Sequence, residues 1–339
     1  MTSPTNPTRI TVVAPARLHL GFVDLHGGLG RRFGSIGLTV SGLDVRVRAE
    51  AAHGVEVIGV ERARAAAAAD AVHTWLGDFT GVRLSIEGAP PAHAGLGSGT
   101  QLALAVATAC SRLAGHFVDP RALAPVVRRG ERSGIGIAAF ESGGFLVDGG
   151  RGSREMVAPL LARLTFPEAW RVLLIFDDQC EGLHGEAEVN AFARLPPMTE
   201  STAAELARWC LVGLLPAVAD ADFAAFAEAI DAIQTRIGRH FAPVQGSAAF
   251  SSPRVAAAVA ALREQFAVVG AGQSSWGPTG FVFAPTATLA HDMQRYLATC
   301  ASAAPGLRCL VVAGQNTGAT IIAETSERLQ TEPTPQPAG

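Results

Sequence analysis

The sequence has no lysine: all 27 of its basic residues are arginine. That absence excludes Schiff-base catalysis, anchoring of pyridoxal phosphate and any Walker-type lysine, and it leaves anions to Arg, His or backbone N–H groups. Cysteine is sparse. Cys110, Cys180, Cys210, Cys300 and Cys309 are odd in number, scattered and never in a C-x-x-C pair, which predicts reduced, mostly buried thiols and no structural zinc. Long apolar runs are missing too. The first, residues 10–14, is soon interrupted by Arg17 and His19, so no secretory signal is expected, and Gly, Pro and charge break the later stretches before they could span a bilayer. A net charge of −3 with no dense basic run gives no footprint for nucleic acid or a membrane surface. The cytoplasm is the expected location and small molecules the expected partners.

What is present is a chain of 339 residues, 48% hydrophobic and 17% charged, enough for one large domain or two closely packed ones. Thr- and Pro-rich ends, 1–8 and about 325–339, have little to bury and read as frayed tails. β-Branched runs predict strands at 10–14, 36–40, 45–49, 55–60, 82–87, 145–148, 172–176, 280–284 and 310–313. Ala-rich or capped segments predict helices at 62–76, 100–114, 120–129, 184–194, 201–218, 221–238, 253–266 and 286–303. This order predicts an α+β fold in two halves, with a boundary near 150–170.

Three glycine-rich segments carry the chemistry. Residues 90–101, PPAHAGLGSGTQ, lie between a predicted strand and an Ala-rich helix. Glycines there let the backbone approach an anion, the loop N–H groups can converge on its oxygens, and the helix adds its positive end. The plain alternative is a glycine turn that starts a helix. Residues 270–280, GAGQSSWGPTG, precede a strand in the other half and suggest the second wall of one cleft. Near the N-terminus, PARLHLGFVD (15–24) alternates polar and apolar residues and puts Arg17, His19 and Gly21 on one strand face, where they could hold an anionic substrate.

Together these segments resemble the GHMP kinase superfamily, whose phosphate loop has the form PxxxGLGSS, over about residues 9–325. The resemblance implies a ribosomal-protein-S5-like half at 9–160 and a ferredoxin-like half at 161–325, with tails at 1–8 and 326–339. Finer matches at ARLHLGFVDLHG, GIGIAAFESGGFLVDGG (134–150), GLHGEAEVNAF (182–192) and GAGQSSWGPTGF (270–281) are similar to the β-ribofuranosylaminobenzene 5′-phosphate synthases, the non-kinase branch. Several GHMP kinases carry a catalytic Asp in a segment like SGIDN. Here Gly136 follows Ile135, which lowers the kinase reading. GLGSG in place of GLGSS removes a hydroxyl at Gly99 and puts a usual phosphate or metal contact in doubt.

The resemblance implies a reaction of phosphoribosyl pyrophosphate with 4-hydroxybenzoate or 4-aminobenzoate, giving a C-riboside, pyrophosphate and CO2 in the route to methanopterin-type cofactors. Mg2+ is the expected helper and a homodimer the expected assembly. Phosphate or pyrophosphate is expected on Gly95, Leu96, Gly97, Ser98, Gly99, Thr100 and Gln101, with Gln273, Ser274, Ser275 and Trp276 facing the same cleft. Arg17 and His19 are candidates for the arene carboxylate or a ribosyl phosphate, and Asp24 for a ribose hydroxyl or, with Ser98, for Mg2+. Each has a plainer reading: Arg17 in a surface ion pair, His19 in the core, Asp24 in a turn. Glu141, His184 and Glu186 are further candidates, either carboxylate able to ligate Mg2+ or take the phenol proton, while Glu186 and Glu188 also suit the first turn of a helix. Two other functions stay open, an ATP-dependent small-molecule kinase and a non-catalytic phosphosugar-binding regulator.

Overall fold

The computed structural model describes residues 7–325 except 78, 93, 155, 181, 183–184, 247–249, 268, 276 and 300–305, with no side chain described at 187. Strand β1 (Arg9–Phe22) runs antiparallel to β2 (Ser35–Ala51), and both outlast the short runs visible in the sequence. The breaks that divide those runs are register shifts, at Ala14/Ala16 and His19/Gly21 in the β1–β2 pairing, so the strands bend without ending. β3 (Gly54–Gly59) and β4 (Gly81–Gly88) continue this sheet. β5 (Phe145–Asp148) joins it on β2, and β6 (Leu160–Leu164) on β5.

Helix α1 (Arg62–Leu76) packs on α2 (Ser98–Leu113) through alanines, and the buried Ala65, Ala68 and Ala69 let the two approach closely. The short α3 (Pro120–Val126) starts from Asp119, which accepts from the Arg121 N–H, as its capping residue predicts. Next comes α4 (Ile135–Glu141), a helix that the sequence patterns do not predict. Asp148 explains it: its buried carboxylate accepts from the N–H groups of Gly134, Ser35 and Gly150 and from the Ser133 hydroxyl, so it anchors the helix start to the end of β5.

A second, four-stranded sheet has the order β10–β7–β9–β8, formed by β7 (Arg171–Asp177), β8 (Ala271–Gln273), β9 (Gly280–Ala284) and β10 (Leu307–Ala313). Its helices are α5 (Gly185–Arg194), α6 (Glu200–Arg208), α7 (Leu215–Ala219), α8 (Phe223–Gln245), α9 (Pro253–Phe266) and α10 (Ala287–Thr299). A π-helical turn, Trp209–Leu214, joins α6 to α7. The chain then returns to the first sheet, where β11 (Thr320–Glu324) pairs with β1. A division at 160/161 therefore cuts β6 and leaves β11 on the wrong side of it. One core of Leu18, Leu20, Phe145, Phe166, Trp170, Phe226, Phe281 and Phe283 draws on both sheets, so the two halves fold against each other.

Candidate active site

The three glycine-rich segments meet. Arg17 on β1 donates from its backbone N–H to Leu96 O at 3.1 Å and from its guanidinium to Gly95 O at 2.9 Å. Ser274, fully buried, accepts from the His19 N–H at 3.0 Å and donates to Gly95 O at 2.8 Å. Ser275 closes the join by donating its N–H to His19 O. The second glycine segment is thus stitched to both β1 and the loop, and removing the Ser274 hydroxyl would strand buried polar groups at a cost of about 1–3 kcal/mol.

Gly97 begins α2 with φ 72°, a conformation in which an ordinary residue is strained, and a Cβ there would lie 3.0 Å from Arg17 Cγ. No side chain caps this helix, so its first amides and its positive end stay available to an anion. Arg17 is half-buried under the loop, and desolvation there lowers its pKa to about 10 while the charge of Glu188 works in the opposite direction. It stays cationic at neutral pH. Its Nε is buried with no partner among the described residues.

Two residues on, His19 is 3% exposed, and burial, then the Arg17 charge, push its pKa down to about 3. It is a neutral imidazole whose Nδ1 is buried and unpartnered. His19 lines a narrow pocket with Gly21, Phe22, Ile237, Phe241, Gln234, Gln273 and Ser275, and among the described residues that lining holds no charged side chain. Phe22 stands 4.6 Å from the His19 ring and packs in turn on Phe241 and Phe192.

The other expected residues divide. Ser98 opens α2, and Thr100 follows within its first turn. Gln101, by contrast, is fully buried and its amide donates to Gly136 O at 2.7 Å, which ties α2 to α4. Ser274 is likewise a structural tie. Gln273 borders the pocket, but its amide is engaged by Ser251 N–H and Ser275 O. Asp24 takes the turn role: its Oδ1 accepts from the N–H groups of His26 and Gly27. Glu141 lies five residues beyond Gly136, whose face meets Thr100, and hence about 140° around the helix from it. It points to Asp119 and Arg121, away from the cleft, 3.8 Å from the Arg121 guanidinium. Glu186 is exposed, and Glu188 is the carboxylate of α5 that turns inward, 2.6 Å from Arg132 and within the field of Arg17. His184 and Trp276 fall outside the described residues, as does His93 of the loop.

Sequence reasoning missed three groups. Phe22 and Phe241 read as ordinary core residues, and Gln234, which donates to Leu20 O at 2.6 Å, comes from 214 residues away. Arg64 and Arg129 reach the loop from α1 and from just beyond α3. No metal-sized group of three or more His, Cys, Asp or Glu exists among the described residues. The carboxylates near the loop, Glu61 and Glu188, are each tied to an arginine. That donor set fits an ion carried in by substrate phosphates, with Ser98 as the protein's hydroxyl.

A sheet with two Ala-packed helices, a glycine loop opening the second of them, and a second antiparallel sheet closing the cleft define the GHMP kinase class of fold. Its N terminal domain family matches residues 62–144 and its C terminal family residues 214–302. The Leishmania structure described as L. major mevalonate kinase with R-mevalonate superposes with a TM-score of 0.69 at 16% identity, covering 94% of this chain and 100% of that one. Within this class, the chain is 31% identical to the β-ribofuranosylphenol 5′-phosphate synthase of Methanothermobacter thermautotrophicus over 92% of its own length and 98% of the relative's. It is 36% identical to the enzyme of the same name from Archaeoglobus fulgidus, over 65% and 74%. The chain belongs to the β-ribofuranosylphenol 5′-phosphate synthase family.

Proposed function

We propose that the protein joins phosphoribosyl pyrophosphate to 4-hydroxybenzoate, or to 4-aminobenzoate, with loss of CO2 and pyrophosphate, in the route to methanopterin-type cofactors. The observation that carries this reading is the abrupt change along β1, from the cationic Arg17 under a phosphate-type loop to the neutral His19 in an aromatic-walled pocket. The names of the relatives support it independently.

The chemistry asks for that polarity. The ring carbon bearing the carboxylate lies para to the OH or NH2, so it can attack C1 of the ribose as pyrophosphate leaves. The adduct then loses CO2 to regain aromaticity, with the ring as electron sink. The carboxylate end of the arene must therefore lie beside the ribose and the loop, within reach of Arg17, and the para substituent must point along the pocket toward His19. A neutral His19 can hydrogen-bond either donor atom without quenching the electron push. Phe22 and Phe241 wall the ring and keep water from the oxocarbenium-like centre. The Ser98 hydroxyl would help hold Mg2+ brought in with the diphosphate, and the ion would supply charge neutralisation at its oxygens. Cytoplasmic location and a homodimer complete the proposal. The exposed Leu211 and Val212 on the π-helical turn give a second copy an apolar surface to cover.

Incubation of phosphoribosyl pyrophosphate and 4-hydroxybenzoate with the protein and Mg2+ tests the reading. A ribosylated phenol 5′-phosphate should be detected by mass, and excess chelator should stop its formation. Product absent under these conditions, with ATP-dependent phosphorylation of a small alcohol in its place, would favour the kinase.

A further inference from the structure

Gly99, the residue that departs from the usual loop, is where two arginines converge. A Cβ there would overlap Arg64 Nη2 and lie 3.6 Å from Arg129 Nη2. Gly99 is the second residue of α2 and its φ is ordinary, so the backbone does not require glycine. A Cβ there would instead push the Arg64 guanidinium tip aside. Where a serine would have supplied one hydroxyl, this chain has made room for a guanidinium.

Both arginines are held there against cost. Arg64 follows Glu61, which starts α1 with φ 55°, and Arg129 follows Arg128, also at φ 55°, and these are left-handed conformations on residues that have a Cβ. Arg64 uses Nη1 on Glu61 at 3.0 Å, which leaves its Nη2 beside Gly99. Burial, then the charge of Arg64, lower the pKa of Arg129 while Glu131 works in the opposite direction, and its Nε is buried with no partner among the described residues. Glu61 pairs with Arg64 and Glu131 offsets part of the Arg129 charge, but both guanidinium tips still reach the uncapped start of a 16-residue helix, where an anion would meet donors from both. A single phosphate monoester would answer Arg17 alone. Guanidiniums on both sides of the loop fit an anion with more than one phosphate.

We infer that Arg64 and Arg129, with the first amides of α2, form the seat of the leaving diphosphate, and that glycine at 99 leaves the Arg64 guanidinium room to reach it. The inference rests on the synthase reading for the identity of the ligand, while the seat can be measured without turnover. Two guanidiniums take up charge on the diphosphate as the C1–O bond breaks and its electron pair moves to the leaving oxygen.

Inorganic pyrophosphate, titrated calorimetrically into the protein in the presence of chelator, is the probe. The wild type should bind it. Arg64→Gln and Arg129→Gln should each weaken binding by about tenfold or more while leaving 4-hydroxybenzoate affinity unchanged and the protein folded by circular dichroism. Gly99→Ala favours the helix intrinsically, so any weakening it causes comes from displacing Arg64. Combined with Arg64→Ala, it should add almost nothing further. Pyrophosphate affinities within about twofold of wild type in both glutamine variants, or no binding by the wild type, would overturn the seat. Binding that depends on both arginines in a protein that makes no riboside would keep the seat and sink the synthase reading instead.

Discussion

At the loop end of the cleft, Arg17, Arg64 and Arg129 crowd around a glycine turn and an uncapped helix start, whereas two residues along β1 the described pocket lining carries no charge. The same burial acts on both ends with different results. Arg17 is pushed down only to about 10 and keeps its charge, because a guanidinium starts so high. His19, pushed to about 3, loses its charge throughout the physiological range. Residue type, placed two apart on one strand face, is enough to build a cationic and a neutral subsite side by side.

The comparison can be broken most completely at Gly97. Gly97→Val forces a branched side chain into a left-handed position and against Arg17, and should abolish turnover while circular dichroism stays native. Near-normal activity would mean the loop holds no phosphate. Arg17→Ala removes the charge from the loop end alone. It should lower kcat/KM by at least about tenfold, as expected for a charge-assisted contact of roughly 1.5–3 kcal/mol, and unchanged kinetics would return Arg17 to a purely structural place.

The pocket end is sharpened by pH. An unfolded histidine binds a proton near pH 6.5, the folded His19 only near 3, so the folded state binds fewer protons between them. Stability from this group is present above about pH 6.5 and is lost as pH falls toward 3, by up to about 1.4 kcal/mol per unit. The kcat/KM profile should show no inflection from His19 between about pH 5 and 8. An inflection there that disappears in His19→Asn would show that the imidazole is not held neutral.

Much of the architecture was legible in the sequence because it rests on local signals. Asp119 before Pro120, the alanine run of α1 and the alternation of 15–24 are each read from neighbours in the chain. What escaped depends on distant partners. α4 looks like a glycine break until Asp148 anchors its start, and β11 is a short exposed strand defined only by β1. The site followed the same rule. Arg17 and His19 share a strand face and were visible, while Arg64 and Arg129 are drawn in by a side chain that Gly99 lacks. Glu141, Gln101 and Asp24 were drawn toward the cleft by motif proximity, although helix phase and turn hydrogen bonds direct them elsewhere.

The smallest effect belongs to Glu141, whose carboxyl lies outside both subsites. Burial, opposed by Arg121 and reinforced by Asp119, raises its pKa to about 7. The folded state binds the extra proton, so stability from this group is full below about pH 4.5 and is lost as pH rises through 7. Glu141→Gln should retain activity and raise the thermal midpoint by about a degree or two at pH 8, with no gain at pH 4. Lost activity at an unchanged midpoint would bring Glu141 back into the chemistry.

The most direct test of the central claim follows the carboxylate. With phosphoribosyl pyrophosphate, Mg2+ and carboxyl-labelled 4-hydroxybenzoate, one labelled CO2 and one pyrophosphate should appear for each C-riboside, with ATP neither hydrolysed nor required, because decarboxylation is the step that restores the ring. Riboside that keeps its label, or ATP-dependent phosphorylation of an alcohol with no labelled CO2, would contradict the account.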